Sequence, residues 1–359
     1  MGTGISFGRR LTQLAEERRG EIALVFAGAG GEQLFEWDEL DRRANQTARM
    51  LAEHGVTDGD VVVVGLQNSP EHVFATFGAW KLGASVLPLR AELPAWERDR
   101  MLSIAAARVV IGDWSDAAPG TLTSQEVKRS SAFDPSPLTE DHVPRCSRLV
   151  ATSGSTGTPK IIVTSSPGLY SDTTNLSTAV NGFAPHFICM AASPLYHTNG
   201  FAYCYPPLLN GNRVVLMEHF DAEKAVDLIE RHRVTVTVLV PTMLARIAKL
   251  PGVRERDFSS LERVIYGGAS LPEWVARTWL DLVPPENFMF VYGGSEVLGI
   301  CMCTGKEWLE RFGVLLKELV DGDGFVANSK VRRQRARVIN RTCGGILARH
   351  SYRGDVLLA

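Results

Sequence analysis

The chain has 359 residues, 45% of them hydrophobic and 22% charged, with a formal net charge of −2. That balance describes an ordinary globular chain with enough apolar material for one large domain or two medium ones. A charge this near zero leaves no nucleic-acid or membrane footprint.

The N-terminal residues Met1 to Arg10 lack the apolar run of a secretory leader, and no stretch approaches the roughly 18 apolar residues of a spanning helix. A cytoplasmic protein without stable membrane insertion is expected. The six cysteines (Cys146, Cys189, Cys204, Cys301, Cys303 and Cys343) are scattered, and the one-residue spacer of Cys301-x-Cys303 is not a usual zinc spacing. Incidental thiols in a reducing compartment fit this pattern.

In chain order, Asp38 to Glu53 has helical spacing, with Leu40, Ala44, Ala48, Met50 and Leu51 inward and Asp38 suited to the cap. Val61 to Leu66 reads as a buried strand, and Pro70 opens a helix through Phe74, Phe77 and Trp80 to Leu82. Ser85-Val86-Leu87 is a strand, Pro94 to Ala107 a helix and Val109-Val110-Ile111 a strand. Residues 112–147, rich in Asp, Ser and Pro, read as a surface connection with at most a short strand. Strands resume at Ile188–Ala192, Arg213–Met217 and Thr235–Val240, with helices at Ala222–Arg231 and Thr242–Leu250. Val264-Ile265-Tyr266 and Phe288–Tyr292 are two further strands, each followed by Gly-Gly. The alternation predicts an α/β fold with largely parallel sheets.

Residues 152–160 read Thr-Ser-Gly-Ser-Thr-Gly-Thr-Pro-Lys, between the strand-like runs Arg148–Ala151 and Ile161–Thr164. A loop of glycines and hydroxyls exposes backbone N–H and O–H donors together, which suits a phosphate. The same residues also dominate ordinary hairpin turns. The Walker pattern does not fit, because Thr158-Pro159-Lys160 follows Gly157 and Ile161 follows Lys160.

Three more segments stand out. Ser193-Pro-Leu-Tyr-His-Thr-Asn-Gly-Phe201 carries a histidine that is equally readable as a packed or surface residue. Tyr266-Gly-Gly-Ala-Ser-Leu-Pro272 joins a strand to a helix, with Ser270 as candidate cap and Pro272 in the first turn; its glycines would also let the backbone lie flat on a ring. In Tyr292-Gly293-Gly294-Ser295-Glu296, an isolated glutamate would normally be a solvated turn residue.

Taken together and in this order, these segments resemble the marks of the adenylate-forming superfamily: acyl-CoA synthetases, adenylation domains of peptide synthetases, and luciferases. The likeness runs over about residues 10–312, and Gly305 to Arg311 resembles the fatty-acid and bile-acid CoA ligase branch. It implies the large N-terminal domain of these enzymes, an α/β body of stacked, mostly parallel sheets flanked by helices, over residues 1–312. The implied chemistry is activation of a carboxylic acid by ATP to acyl-AMP, followed by transfer to coenzyme A, with Mg²⁺ on the phosphates. An apolar acid is suggested by the bulk of Phe201, Tyr203 and Met243 near the implied acyl pocket.

By this resemblance Thr152, Ser153, Gly154, Ser155, Thr156, Gly157 and Lys160 form the phosphate loop. Gly267, Gly268 and Ala269 lie against adenine with Tyr292 and Gly293. Ser295 meets the α-phosphate, and Glu296 holds Mg²⁺. His197, Asn199, Gly200 and Phe201 border the acid. His197, Lys160 and Glu296 are the implied catalytic groups.

Beyond Glu296 the chain departs from the family. The expected Pro-Gly turn is replaced by Arg311-Phe-Gly-Val-Leu-Leu316, and residues 326–359 turn basic: Lys330, Arg332, Arg333, Arg335, Arg337, Arg341, Arg349 and Arg353 face Asp355 alone. Tyr352-Arg353-Gly354-Asp355 would be a degenerate ribose mark, with Asp355 as its acid. Residues 313–359 are expected to be a divergent tail, a truncation or frameshift product or a basic arm, without the C-terminal lid domain and its lysine. A non-catalytic nucleotide- or acyl-binding protein, and a half-enzyme completed by a separately encoded C-terminal domain, stay open beside the active ligase.

Overall fold

The computed structural model describes residues 4–152, 160–163, 166–170, 186–292 and 301–310. These divide into two compact units, one running to Phe220 and one from Asp221. In each, parallel strands and helices alternate, as the sequence predicts.

The first unit opens with β1 (Ile5–Ser6) and α1 (Phe7–Glu17), where the Ser6 hydroxyl caps the helix by accepting from the Arg9 amide at 2.9 Å. The antiparallel hairpin β2 (Ile22–Gly28) and β3 (Gly31–Glu36) leads into α2 (Trp37–Glu53). The inward set of α2 is buried as its spacing predicts. The cap is Glu36 rather than Asp38, which lies within the first turn and favours the helix through its dipole instead.

β4 (Val61–Gly65), α3 (Pro70–Lys81), β5 (Ser85–Pro88), α4 (Ala95–Ala105) and β6 (Val109–Gly112) follow. The three strands form a parallel sheet in the order β5-β4-β6. Its middle strand is four consecutive valines, as a strand covered on both faces requires. Every residue of α3 is buried, and Phe77, Trp80 and Tyr205 meet edge to face with ring centroids 5.3–5.8 Å apart. Trp114, just after β6, lies over the carboxyl ends of β4 and β6. A Cβ on Gly65 or Gly112 would fall inside its indole, whose Nε1 donates to the Ala91 carbonyl at 2.6 Å.

The connection after β6 contains α5 (Ser124–Arg129), where the sequence predicts at most a short strand. Thr123 and Glu126 form a reciprocal capping box that lets six residues hold a helix in a polar stretch. β7 (Leu149–Thr152) pairs antiparallel with β8 (Lys160–Val163), and β9 (Leu169–Tyr170) with β1. β10 (Ile188–Ala191), two short helices α6 (Thr198–Ala202) and α7 (Tyr205–Leu209), and β11 (Arg213–Met217) complete the unit. β10, β11 and β2 run parallel side by side, with β3 antiparallel at the edge.

The second unit contains α8 (Ala222–His232), β12 (Val236–Leu239), α9 (Pro241–Ala248), β13 (Arg263–Tyr266), α10 (Glu273–Leu282), β14 (Phe288–Tyr292) and β15 (Cys301–Thr304). β12, β13 and β14 are parallel, and β15 closes the edge antiparallel. Pro241 both stops β12 and opens α9, since its missing N–H is no loss at a first helical position. α10 begins at Glu273 with Pro272 as its cap residue, so Ser270 is not the cap. Trp279 packs against Phe258 and Phe288 at 5.6 and 6.2 Å and donates to the Leu244 carbonyl at 3.1 Å. Among the described residues no helix is long and apolar enough to cross a membrane.

Candidate functional site

The segments singled out in the sequence all follow strand ends. In open α/β sheets the crevice outside the carboxyl ends of parallel strands is where ligands sit.

Thr152 ends β7 and Lys160 begins β8, and the two are paired across the hairpin. Both are half-buried. Ser153, Gly154, Ser155, Thr156 and Gly157 lie outside the described residues, but the register fixes where their loop starts and returns.

The histidine segment follows β10. His197 is the cap residue of α6; its amide donates to the Pro194 carbonyl and its carbonyl accepts from the Phe201 amide, both at 3.0 Å. Although the residue is exposed, partial desolvation of its ring, then the guanidinium charges of Arg148 and Arg90, hold its pKa below the ordinary histidine value. The imidazole is therefore neutral at neutral pH and can accept or donate one hydrogen bond. Its ring lies 4.3 Å from that of Tyr196.

Asn199 is half-buried and Gly200 buried. A Cβ on Gly200 would collide with the Pro194 carbonyl oxygen and lie 2.6 Å from that of Ser193, so only glycine fits this close approach of two backbone stretches. Phe201 is buried, 4.4 Å from the Tyr205 ring and 6.0 Å from that of Trp80, with the Arg148 guanidinium stacked over it at 4.4 Å. It backs the segment from the core side.

In the second unit, Tyr266 pairs with Phe290 in adjacent parallel strands, so Gly267-Gly268 and Val291-Tyr292 emerge side by side. Gly267 is buried, and a Cβ there would meet the Val291 carbonyl oxygen at 3.0 Å. Gly268 has φ +93°, a backbone state that favours glycine, and it is exposed like Ala269. The Tyr266 hydroxyl donates to the Ala269 carbonyl at 2.9 Å and ties the turn down. Tyr292 pairs with Cys301 across β14–β15, and Gly293, Ser295 and Glu296 belong to the connection between them, outside the described residues. Asp355 also lies outside them. Among the described residues no group of three His, Cys, Asp or Glu side chains could hold a metal ion.

Sequence reasoning missed two buried residues. Asn68, between β4 and α3, donates to the Ser193 carbonyl (3.1 Å) and the Met217 carbonyl (2.8 Å) and accepts from the Leu195 amide (2.8 Å). Arg148 donates to the Tyr196 carbonyl at 3.1 Å. Their partners are far away in the chain, so no local pattern marks them.

The family model for AMP-binding enzymes matches residues 11–319. A feruloyl-CoA synthase from Amycolatopsis sp. is 32% identical over 310 residues, covering 82% of this chain and 59% of that enzyme. The chain thus spans well under two thirds of that relative's length. The N-terminal domain of FACL13 from Mycobacterium tuberculosis superposes with a TM-score of 0.74 at 21% identity, over 86% of this chain and 80% of that one. An O-succinylbenzoate coenzyme A synthetase from Bacillus subtilis, solved with AMP, gives 0.70 at 24% identity, over 84% and 78%. At these identities the structures speak for the fold, which is that of the N-terminal domain of adenylate-forming enzymes. With the family model matching most of its length, the chain belongs to the AMP-binding enzyme family.

Proposed function

We propose that the chain is the substrate-binding body of an AMP-forming acid–CoA ligase, with residues 1–312 as that body and 313–359 as a divergent tail. The reaction is carboxylate + ATP → acyl-AMP + pyrophosphate, then acyl-AMP + coenzyme A → acyl-CoA + AMP. The observation that carries this reading is the Thr152–Lys160 register, which roots a loop of glycines and hydroxyls between two paired strands in a chain of this family.

Two anions must meet in the first half-reaction, so positioning and charge neutralisation dominate catalysis. In this reading Lys160, Ser153, Ser155 and Thr156 grip the β- and γ-phosphates. Gly267-Gly268 and Tyr292 take the adenine, and neutral His197 orients the carboxylate beside Asn199 and Gly200. Mg²⁺, when bound, offsets phosphate charge and would rest on Glu296 and the nucleotide's own oxygens. Buried thiols at Cys146, Cys189 and Cys204, none in a disulfide, fit a cytoplasmic location.

The acid is an apolar one. Feruloyl and O-succinylbenzoyl groups, in the names of two relatives, are aryl, so aryl acids are tested first, ahead of fatty and bile-type acids. ATP–pyrophosphate exchange by the purified chain across that panel is the test, with ATP binding measured on the same sample. Exchange with one acid class supports the reading and names the substrate. ATP binding without exchange under any acid would leave a nucleotide-binding protein, and activity regained on adding a separately encoded C-terminal domain would make it half an enzyme.

A further inference from the structure

The segment carrying His197 has little regular structure of its own: it leaves β10 at Ala191 and becomes helical only at Thr198. Such a stretch holds a catalytic side chain in place only if its backbone is tied down from outside. Asn68 makes two side-chain bonds to it from outside, and Arg148 makes one.

We infer that Asn68 is the positioning residue for His197, a clamp that fixes residues 193–195 against the end of β11. Its carboxamide uses all three bonds seen: Oδ1 to the Leu195 amide, and Nδ2 to the carbonyls of Ser193 and Met217. The first two hold the histidine segment on both sides of Pro194, whose carbonyl then accepts from the His197 amide. The third ties that unit to the carboxyl end of β11. Arg148 steadies the next peptide by donating to Tyr196 while stacking on Phe201. Asn68 is itself buried, between β4 and the Ser69 cap of α3, whose hydroxyl accepts from the His72 amide.

The residue type matters. Aspartate has the same shape, but it would set a carboxylate oxygen against two carbonyl oxygens and lose both donors. The charges that act on the imidazole are those of Arg148 and Arg90, and Glu92 acts on its neighbour Tyr196. None of them is bonded to Asn68, so the clamp and the local charge act separately.

The inference rests on the reading that His197 borders the acid, and the test separates the two. Asn68→Asp and Asn68→Ser are compared with Gln67→Ala, an exposed neighbour whose side chain reaches Glu92 instead. Three quantities are read: hydrogen exchange of residues 193–197, the ¹³C resonance of the His197 ring, and exchange kinetics with acid and ATP varied in turn. Expected for Asn68→Ser is roughly tenfold faster amide exchange at Leu195, as for one lost bond, and for both Asn68 variants a shifted His197 resonance. The acid KM rises about tenfold while the ATP KM is unchanged, as loss of substrate positioning predicts. Gln67→Ala changes none of them.

If Leu195 protection and the His197 resonance survive in Asn68→Ser, the inference is overturned. Equal rises in acid and ATP KM would overturn it too, since they mark general loosening. If the unaltered chain shows no exchange with any acid but Asn68→Ser loses Leu195 protection, the clamp stands and the ligase reading falls.

Discussion

Thr152 and Lys160 are cross-strand partners, the last residue of β7 against the first of β8. Their pairing sets these two residues one strand spacing apart, about 5 Å. Lys160 is thus rooted in a paired strand while its side chain stays half-exposed, which separates its charge from the stability of the hairpin. Lys160→Met is expected to lower pyrophosphate exchange about 10²–10³-fold, the usual effect of losing one preorganised charge donor. Its unfolding midpoint should stay within about 0.5 kcal/mol of the parent, as for other surface changes. A variant that exchanges normally would remove Lys160 from the site.

Gly200→Ala should be costly for a geometric reason. Its Cβ would fall on the carbonyls of Pro194 and Ser193, and neither can retreat without breaking the bonds that hold the His197 turn. A loss of about 1–3 kcal/mol is expected, the range for overpacking a tight site. Denaturant unfolding measures it, and an unchanged midpoint would show that the turn yields easily.

His72 should make the protein acid-sensitive. Burial drives its pKa from 6.5 down to about 3, and only its Nδ1 is bonded, to the Tyr205 hydroxyl at 2.8 Å. At pH values under 6.5 the unfolded chain takes up a proton that the native ring refuses. Stability is therefore complete above that pH and declines as pH falls toward about 3, by a few kcal/mol in all. His72→Phe should flatten the dependence of melting temperature on pH between about 6.5 and 4. Parallel curves for parent and variant would rule His72 out as the cause.

Lys81 and Asp41 form a buried ion pair at 2.8 Å between α3 and α2. The lysine also donates to the Thr12 hydroxyl, and the aspartate accepts from Asn45. Burial lowers the lysine pKa, and the aspartate partly restores it. Lys81→Met would leave a buried carboxylate without its counter-charge, at a cost of about 3–5 kcal/mol. Lys81→Met with Asp41→Asn should recover part of that loss. A double variant no more stable than the single one would show that the cost is lost packing, not lost pairing.

Much of this fold can be read from local pattern. The valine run of β4, the Ser69-Pro70 start of α3 and the apolar spacing of α2 each specify their element with little help from elsewhere. Boundaries are harder: Asp38 and Ser270 are good capping residues, yet Glu36 and Pro272 occupy those positions because the incoming strand and turn set where each helix begins. α5 carries no readable periodicity, because Val127 is its one apolar residue in six, although Thr123-x-x-Glu126 marks its start. The proposed site segments depend on residue identity, which a single sequence displays one by one. Asn68 and Arg148 are not legible in this way, because their role consists of bonds to peptide groups tens to more than a hundred residues away.

Trp114 restricts where this protein can change. Its indole occupies the space above Gly65 and Gly112 and anchors the Ala91 turn, while Arg98 stacks on it at 5.1 Å and reaches Asp116 at 2.7 Å. A new pocket over the β5-β4-β6 sheet would need the ring removed, the turn given another anchor and the arginine another partner, all together. The carboxyl ends of β4 and β6 are thus closed to any ligand by one side chain whose neighbours would all have to change with it.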